Sequence, residues 1–189
     1  MRIIVILFLS VLPLLSFSQR ATQTQISWVS LKKAKVLAKE KNKPILVYFY
    51  KKNCQYCDKM KRETLSDVSV INIINNNFIP VKIDSRTKDT IYYNNKAYGN
   101  QQPESSGRND WRHDFYAEVA SFDRNGTSQS TTPTIALFNP NFEKITIFPG
   151  NHPKQLLLRK INKFINPNIK YMPNILNLKI FVKNRISEI

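Results

Sequence analysis

A chain of 189 residues, 42% apolar and 22% charged, is long enough for one domain with its own core and some decoration. Its formal charge of +16 comes from 29 Lys and Arg against 13 Asp and Glu, scattered with no block of five basic residues. That pattern describes solvated lysine-rich faces rather than a nucleic-acid footprint, and leaves open a preference for acidic partners.

Met1 to Ser18 has the make-up of a secretory signal peptide: Arg2 supplies charge, Ile3 to Leu15 the apolar stretch, and Ser16-Phe17-Ser18 a small-x-small cleavage site before Gln19. An uninterrupted membrane span needs about 20 apolar residues, whereas this run is shorter and carries Pro13, and no cysteine nearby offers a lipid anchor. No later stretch could span a membrane, so the mature chain, at +15 without Arg2, is expected to be exported, periplasmic or secreted, without stable membrane insertion.

Residues 19–27 read as a flexible polar segment. Trp28 to Asn42 has helical spacing, with Ser30 as cap, Leu31, Ala34, Leu37 and Ala38 on one face and lysines on the other, and Asn42-Lys43-Pro44 stops it. Ile45 to Tyr50 is apolar throughout, as a central strand covered on both faces should be. A helix is expected from about Cys54 to Leu65, with Met60, Leu65 and Cys57 inward. Ser66-Asp67 offers a fresh cap for a second helix with a Val68, Ile71, Ile74 stripe, ended by Asn75-Asn76-Asn77. Phe78 to Ile83 follows as a strand whose pairing Pro80 limits.

The region 86–131 is the least regular. Thr90 to Tyr98 has the pattern of a β-hairpin turning on Asn94-Asn95, since Asn tolerates positive φ. Gln101 to Asn109 reads as loop, Trp111 to Phe122 as a short helix presenting Phe115, Val119 and Phe122, and Asn125 to Ser130 as a flexible turn. Thr134 to Phe138 and Glu143 to Phe148 form an antiparallel pair, and Pro153 opens a helix with an apolar stripe of Leu156, Leu157, Ile161 and Phe164 interrupted by Lys160, ended by Pro167. The residues after Pro167 alternate apolar and basic, and read equally as a packed helix or a loose tail. Strand–helix–strand followed by a hairpin gives an α/β fold: a mixed central sheet flanked by helices, with a right-handed parallel crossover. The organisation is a signal peptide over 1–18, a flexible segment over 19–27, a domain over 28–166 with an insertion at about 86–131, and a C-terminal extension over 167–189.

The only two cysteines are Cys54 and Cys57, at the expected strand-to-helix junction. A structural disulfide closing a loop of two residues would constrain the unfolded chain very little, so the pair reads as reactive. Three residues apart on a helix puts both thiols on one face, within the ~5.5–6 Å Cα separation a disulfide prefers. Cys54, at the helix start, sits where unpaired N–H groups favour a thiolate, which makes it the nucleophile; Cys57, one turn in, resolves the mixed disulfide. Lys51 and Lys52 assist the thiolate weakly through solvent. Haem attachment would need His after Cys57, where Asp58 stands, and His113 and His152 lack ligand spacing for zinc, so neither a metal nor a cofactor is expected.

The run Lys43-Pro44-Ile45-Leu46-Val47-Tyr48-Phe49-Tyr50, then Cys54 to Cys57, Met60, Thr64-Leu65-Ser66-Asp67 and Val70, resembles the thioredoxin superfamily. It is most similar to exported thioredoxin-like proteins related to the C-terminal domain of the disulfide reductase DsbD. The resemblance covers about Trp28 to Ile165 and implies a thioredoxin-like fold. It identifies Thr132-Pro133 before a strand with the family's cis-proline loop, whose backbone pairs with the substrate chain, and it makes Tyr56 part of the substrate surface. Asn53 replaces the usual Trp before the first Cys, Gln55-Tyr56 the usual Gly-Pro, and Tyr48 the buried acid that helps move the resolving thiol's proton. The resulting expectation is an exported thiol–disulfide oxidoreductase that reduces or exchanges disulfides in other exported proteins, serving redox homeostasis, with a separate redox partner to recycle the pair. A disulfide-forming oxidant and a binding module with a vestigial Cys pair are the alternatives.

Overall fold

The computed structural model describes residues 23–100 and 112–165. The signal peptide at 1–18, the loop at 101–109, Trp111, Pro167 and the extension at 167–189 lie outside the described residues.

The elements run α1 (Leu31–Lys41), β1 (Ile45–Tyr50), α2 (Gln55–Glu63), α3 (Val68–Asn77), β2 (Ile79–Asp84), β3 (Ile91–Tyr93), β4 (Lys96–Tyr98), α4 (Asp114–Ala120), β5 (Phe122–Arg124), β6 (Thr127–Gln129), β7 (Thr134–Phe138), β8 (Lys144–Pro149) and α5 (Lys154–Asn162). Four strands form the central sheet in the order β2-β1-β7-β8. β1 pairs parallel with β2 and antiparallel with β7, which pairs antiparallel with β8. This is the expected mixed sheet. Pro80 lies on edge strand β2, where a missing N–H is tolerated, and its carbonyl accepts from Val29 at 3.0 Å.

Side chains alternate across a strand, so β1 feeds two cores. Ile45, Val47 and Phe49 join Ala34, Ala38, Phe115, Tyr116 and Phe138 on the α1–α4 face. Leu46 and Tyr48 join Met60, Val70, Ile71, Ile74, Leu137, Leu157 and Ile161 on the α2–α3–α5 face. Two tertiary bonds tie α5 to the α2–α3 corner. Thr64 Oγ1 donates to the His152 carbonyl at 2.8 Å. Lys154 Nζ pairs at 2.8 Å with Asp67, whose carboxylate also caps α3; that lysine hydrogen bond holds the carboxyl below its ordinary range.

Several expectations are corrected. Trp28 precedes α1, which Ser30 caps through its Oγ. On α3 the buried set is Val70, Ile71 and Ile74, with Val68 half exposed: as the first helical residue, it points off the face that meets the sheet. Phe122 leaves α4 for β5, and the expected flexible turn is a second hairpin, β5–β6, turning on Asn125-Gly126 at φ 55° and 75°. α5 ends at Asn162, before Pro167. Lys160 is accommodated beside the apolar stripe by placing its ammonium 5.2 Å from the Phe148 ring centroid. His113 and His152 are both buried.

Among the described residues, asparagine supplies most of the left-handed backbone positions: Asn42, Asn53, Asn94, Asn95 and Asn125, with Phe142 the remaining non-glycine. Asn94 and Asn95, at φ 49° and 59°, make the expected β3–β4 hairpin turn. Asn53, at φ 56°, redirects the chain from β1 into the start of α2. A β-branched residue there meets the left-handed penalty of roughly 1–2 kcal/mol. Asn53→Val should therefore lower stability in urea denaturation by about that amount, while Asn53→Gly leaves it nearly unchanged.

His152 gives stability a pH dependence. Burial holds its imidazole below its ordinary pKa, Lys160 adds to this, and its Nε2 is buried without a partner among the described residues. The unfolded chain takes up a proton below about pH 6.5 that the folded site resists, so this contribution to stability is present at neutral pH and falls as pH drops. Denaturation midpoints between pH 7 and 5 should decline less steeply in His152→Gln than in the parent chain.

Candidate active site

The site forms where β1 ends. Because β1 and β7 run antiparallel with Phe49 opposite Thr134, the residues leaving β1 and those entering β7 emerge at the same end of the sheet. Cys54 caps α2 in extended conformation, and its carbonyl accepts the first helical bond from Asp58 N–H at 3.0 Å. Cys54 and Cys57 are joined in a disulfide with Cα atoms 5.2 Å apart, so the two sulfurs share one face of the helix start. The backbone N–H of Cys57 donates to Cys54 Sγ at 3.3 Å, so the sulfur occupies the position of a capping oxygen at the positive end of the helix.

Thr132 and Pro133 meet the pair. The Thr132–Pro133 peptide is cis, as the resemblance implied. Cys54 Sγ lies 3.7 Å from both the carbonyl oxygen and Oγ1 of Thr132, and Pro133 is buried. The flanking carbonyls are already used: Thr131 accepts from Tyr116 and Thr134 hydroxyls, and Pro133 accepts from Gly150 N–H at 2.8 Å. Thr132 is left with its carbonyl facing the redox pair. Tyr56 is elsewhere on the rim, 63% exposed on the first turn of α2, with no hydrogen bond or ring contact to the loop among the described residues.

Behind the pair lies Tyr48. Its hydroxyl donates to the Cys57 carbonyl at 3.3 Å, and its ring stacks between Trp28 at 6.0 Å and Tyr50 at 6.1 Å. Burial pushes the phenol well above its ordinary pKa, with the charges of Asp58 and Tyr50 adding to the shift. Tyr48 therefore stays neutral, packs as core and braces the helix that carries Cys57.

Sequence reasoning missed the support of the proline loop by the insertion. Besides the Tyr116 bond, Arg112 Nη1 donates to the carbonyl and Oγ of Ser130 at 2.8 and 2.9 Å and sits over the Tyr116 ring. Nothing in local spacing links residues 112–116 to 130–131; the contact exists because α4 packs against β7. His113 is a cap: Nδ1 accepts from Phe115 N–H at 3.1 Å, and Nε2 lies 2.9 Å from the Asp89 carbonyl. No group of His, Cys, Asp and Glu suited to a metal occurs among the described residues. Among them too, no helix is long and apolar enough to cross a membrane.

Comparison with known proteins agrees with this architecture. No curated protein sequence matches the chain. Among solved structures, the DsbH oxidoreductase superposes with a TM-score of 0.53 at 16% identity, covering 80% of this chain and 92% of that one. A thioredoxin from Thermus thermophilus gives 0.50 at 18% identity, covering 75% and 87%. The oxidised C-terminal domain of DsbD from Neisseria meningitidis gives 0.45 at 15% identity, covering 70% and 90%. At these identities the likeness to the first two is one of fold. The family described as a thioredoxin-like domain matches residues 31–165. The chain belongs to that thioredoxin-like family, and with its Cys54–Cys57 pair it is a thiol–disulfide oxidoreductase.

Proposed function

We propose that the protein is exported after removal of residues 1–18, and that its domain over 28–166 reduces or exchanges disulfides in other exported proteins, periplasmic or secreted. Cys54 is the nucleophile and Cys57 the resolving thiol. The observation that carries this assignment is the position of Cys54 Sγ, which accepts the Cys57 N–H at the start of α2 and faces Thr132. Residue exposure is similar, 8% for Cys54 and 4% for Cys57, so the reading rests on placement at the helix start.

In the reductive direction the Cys54 thiolate attacks one sulfur of a substrate disulfide. That S–S bond breaks, and the second substrate sulfur leaves as a thiolate that takes a proton. Deprotonated Cys57 then attacks Cys54 Sγ, releases the first substrate sulfur and closes the Cys54–Cys57 disulfide. Two electrons have passed to the substrate, and a separate dithiol partner must reduce the pair for another turn. The Thr132 carbonyl, left open between two occupied neighbours, is the backbone acceptor for an extended substrate segment, with Pro133 shaping its floor. Tyr56 offers an exposed aromatic contact at the rim.

Cys54→Ser should abolish insulin disulfide reduction, and Cys57→Ala should accumulate mixed disulfides with exported client proteins. Unchanged insulin reduction in Cys54→Ser would make the domain a binding module. The equilibrium potential of the pair against glutathione fixes direction: a value near about −270 mV fits a reductase, and one near about −120 mV the oxidant alternative. Tyr116→Phe removes one bond to the proline loop, worth about 0.5–1.5 kcal/mol, so kcat/KM for a peptide disulfide should fall about 2- to 10-fold. The loss should appear in KM, with the alkylation rate of reduced Cys54 unaltered.

A further inference from the structure

A pocket of about 540 Å³ opens beside α2 on the side of the resolving cysteine. Cys57, Tyr48 and Trp28 belong to its wall, whereas Cys54, Thr132 and Pro133 do not, so it is separate from the proposed substrate shelf. Trp28, Tyr48 and Tyr50 give it a run of stacked rings, with interplanar angles of 29° and 14°. The charged residues of its lining are four lysines and one aspartate, Asp58. The lysines converge from three places: Lys51 and Lys52 follow β1, Lys61 lies one turn beyond Cys57 on α2, and Lys82 stands on β2 opposite Tyr48. Lys82 Nζ is 4.6 Å from the Tyr50 ring centroid. The ion pair found among the described residues, Lys154 with Asp67, involves none of them.

A concave volume of this size falls in the range of small-molecule sites, about 300–1,000 Å³. Flat aromatic walls favour a planar apolar body. Cations gathered at a cleft with low-dielectric walls focus a positive potential into it. A hollow of this volume with stacked rings in its wall suits a compact ligand better than an acidic protein segment, which needs an extended groove.

We propose that this pocket is a binding site for a small planar anion, an aromatic carboxylate, whose ring lies against the partly exposed rings of Trp28 and Tyr50, with buried Tyr48 bracing them from behind, and whose carboxylate is held by Lys61 and Lys82. Its occupant stands between Cys57 and solvent while leaving the Cys54–Thr132 face open.

The probe pair is 2-naphthoate and its neutral isostere 2-naphthamide, titrated by equilibrium dialysis into the oxidised full-length protein. Naphthoate should bind saturably, one per chain, about tenfold tighter than the amide at low ionic strength, and lose that advantage in about 1 M salt. The double substitution Lys61→Gln with Lys82→Gln should erase the preference while leaving amide binding in place. In Cys54→Ser, saturating naphthoate should slow alkylation of Cys57 by iodoacetamide about fivefold or more. Equal affinity for acid and amide overturns the proposal. So does naphthoate binding that survives the double substitution, naphthoate binding that leaves Cys57 unprotected, or no saturable binding below about 1 mM. None of these measurements requires the Cys pair to turn over, so their failure is distinct from failure of the oxidoreductase reading.

Discussion

Burial of β1 on both faces is the constraint from which the site follows. Each of its first five residues is inside the protein, and their alternation divides the interior into two cores that share one strand. A strand so enclosed has no freedom of register: a slip by one residue would exchange Tyr48 for Phe49 and send each into the wrong core. Fixed register fixes where the strand ends, and thus where Cys54 begins a helix. The antiparallel match of Phe49 to Thr134 then carries the proline loop to the same edge. The Tyr50 carbonyl, last in the strand, still receives Ser85 N–H at 2.7 Å, so on the β2 side pairing runs to the end of β1 before the chain enters the redox loop.

The insertion extends that platform. Tyr93, Tyr98, Phe115, Phe138 and Phe142 pack ring against ring, with Phe138 and Phe142 centroids 4.5 Å apart. This cluster anchors α4 to β7. From there Tyr116 and Arg112 hold the backbone just ahead of Thr132. A segment irregular in sequence thus acts on the active loop through one tyrosine hydroxyl and one guanidinium. Arg112 suits this because its planar fork reaches both the carbonyl and the hydroxyl of Ser130.

Much of this was legible in the sequence because it is local. The apolar run at Ile45–Tyr50 gives its strand to the residue, and the asparagine pair at 94–95 gives its turn. The Cys spacing and the Thr-Pro before an apolar run place the pair and its loop. What escaped depends on distant partners. Val68 and Val70 are alike in composition, and only the packing of α3 against the sheet separates the exposed one from the buried one. Asn125-Gly126 carries a hairpin signal, yet apart from Phe122 its flanks are polar and exposed, so hydrophobic alternation did not betray strands β5 and β6. Lys82 stands opposite Tyr48 only through the parallel register of β1 and β2, which no spacing within either strand reveals.

The departures from the family's usual residues change the electrostatics around the pair in one direction. Tyr48 puts a neutral phenol where relatives place a buried acid, so no negative charge on β1 opposes ionisation of Cys57. Lysines at 51, 52, 61 and 82 line the neighbouring pocket against Asp58 alone. Positive charge near a thiol favours its thiolate, and stabilising the thiolate stabilises the reduced pair, which moves the potential toward the oxidising side. Solvent limits the effect: Lys52 and Lys82 are exposed, and their fields decay over about 8 Å at physiological salt. The helix start acts on Cys54 at contact distance and escapes that screening, and this contribution is common to any Cys-x-x-Cys placed at a helix N-terminus. What distinguishes this protein is the lysine-rich surround of the pocket beside Cys57, which Asp58 alone offsets.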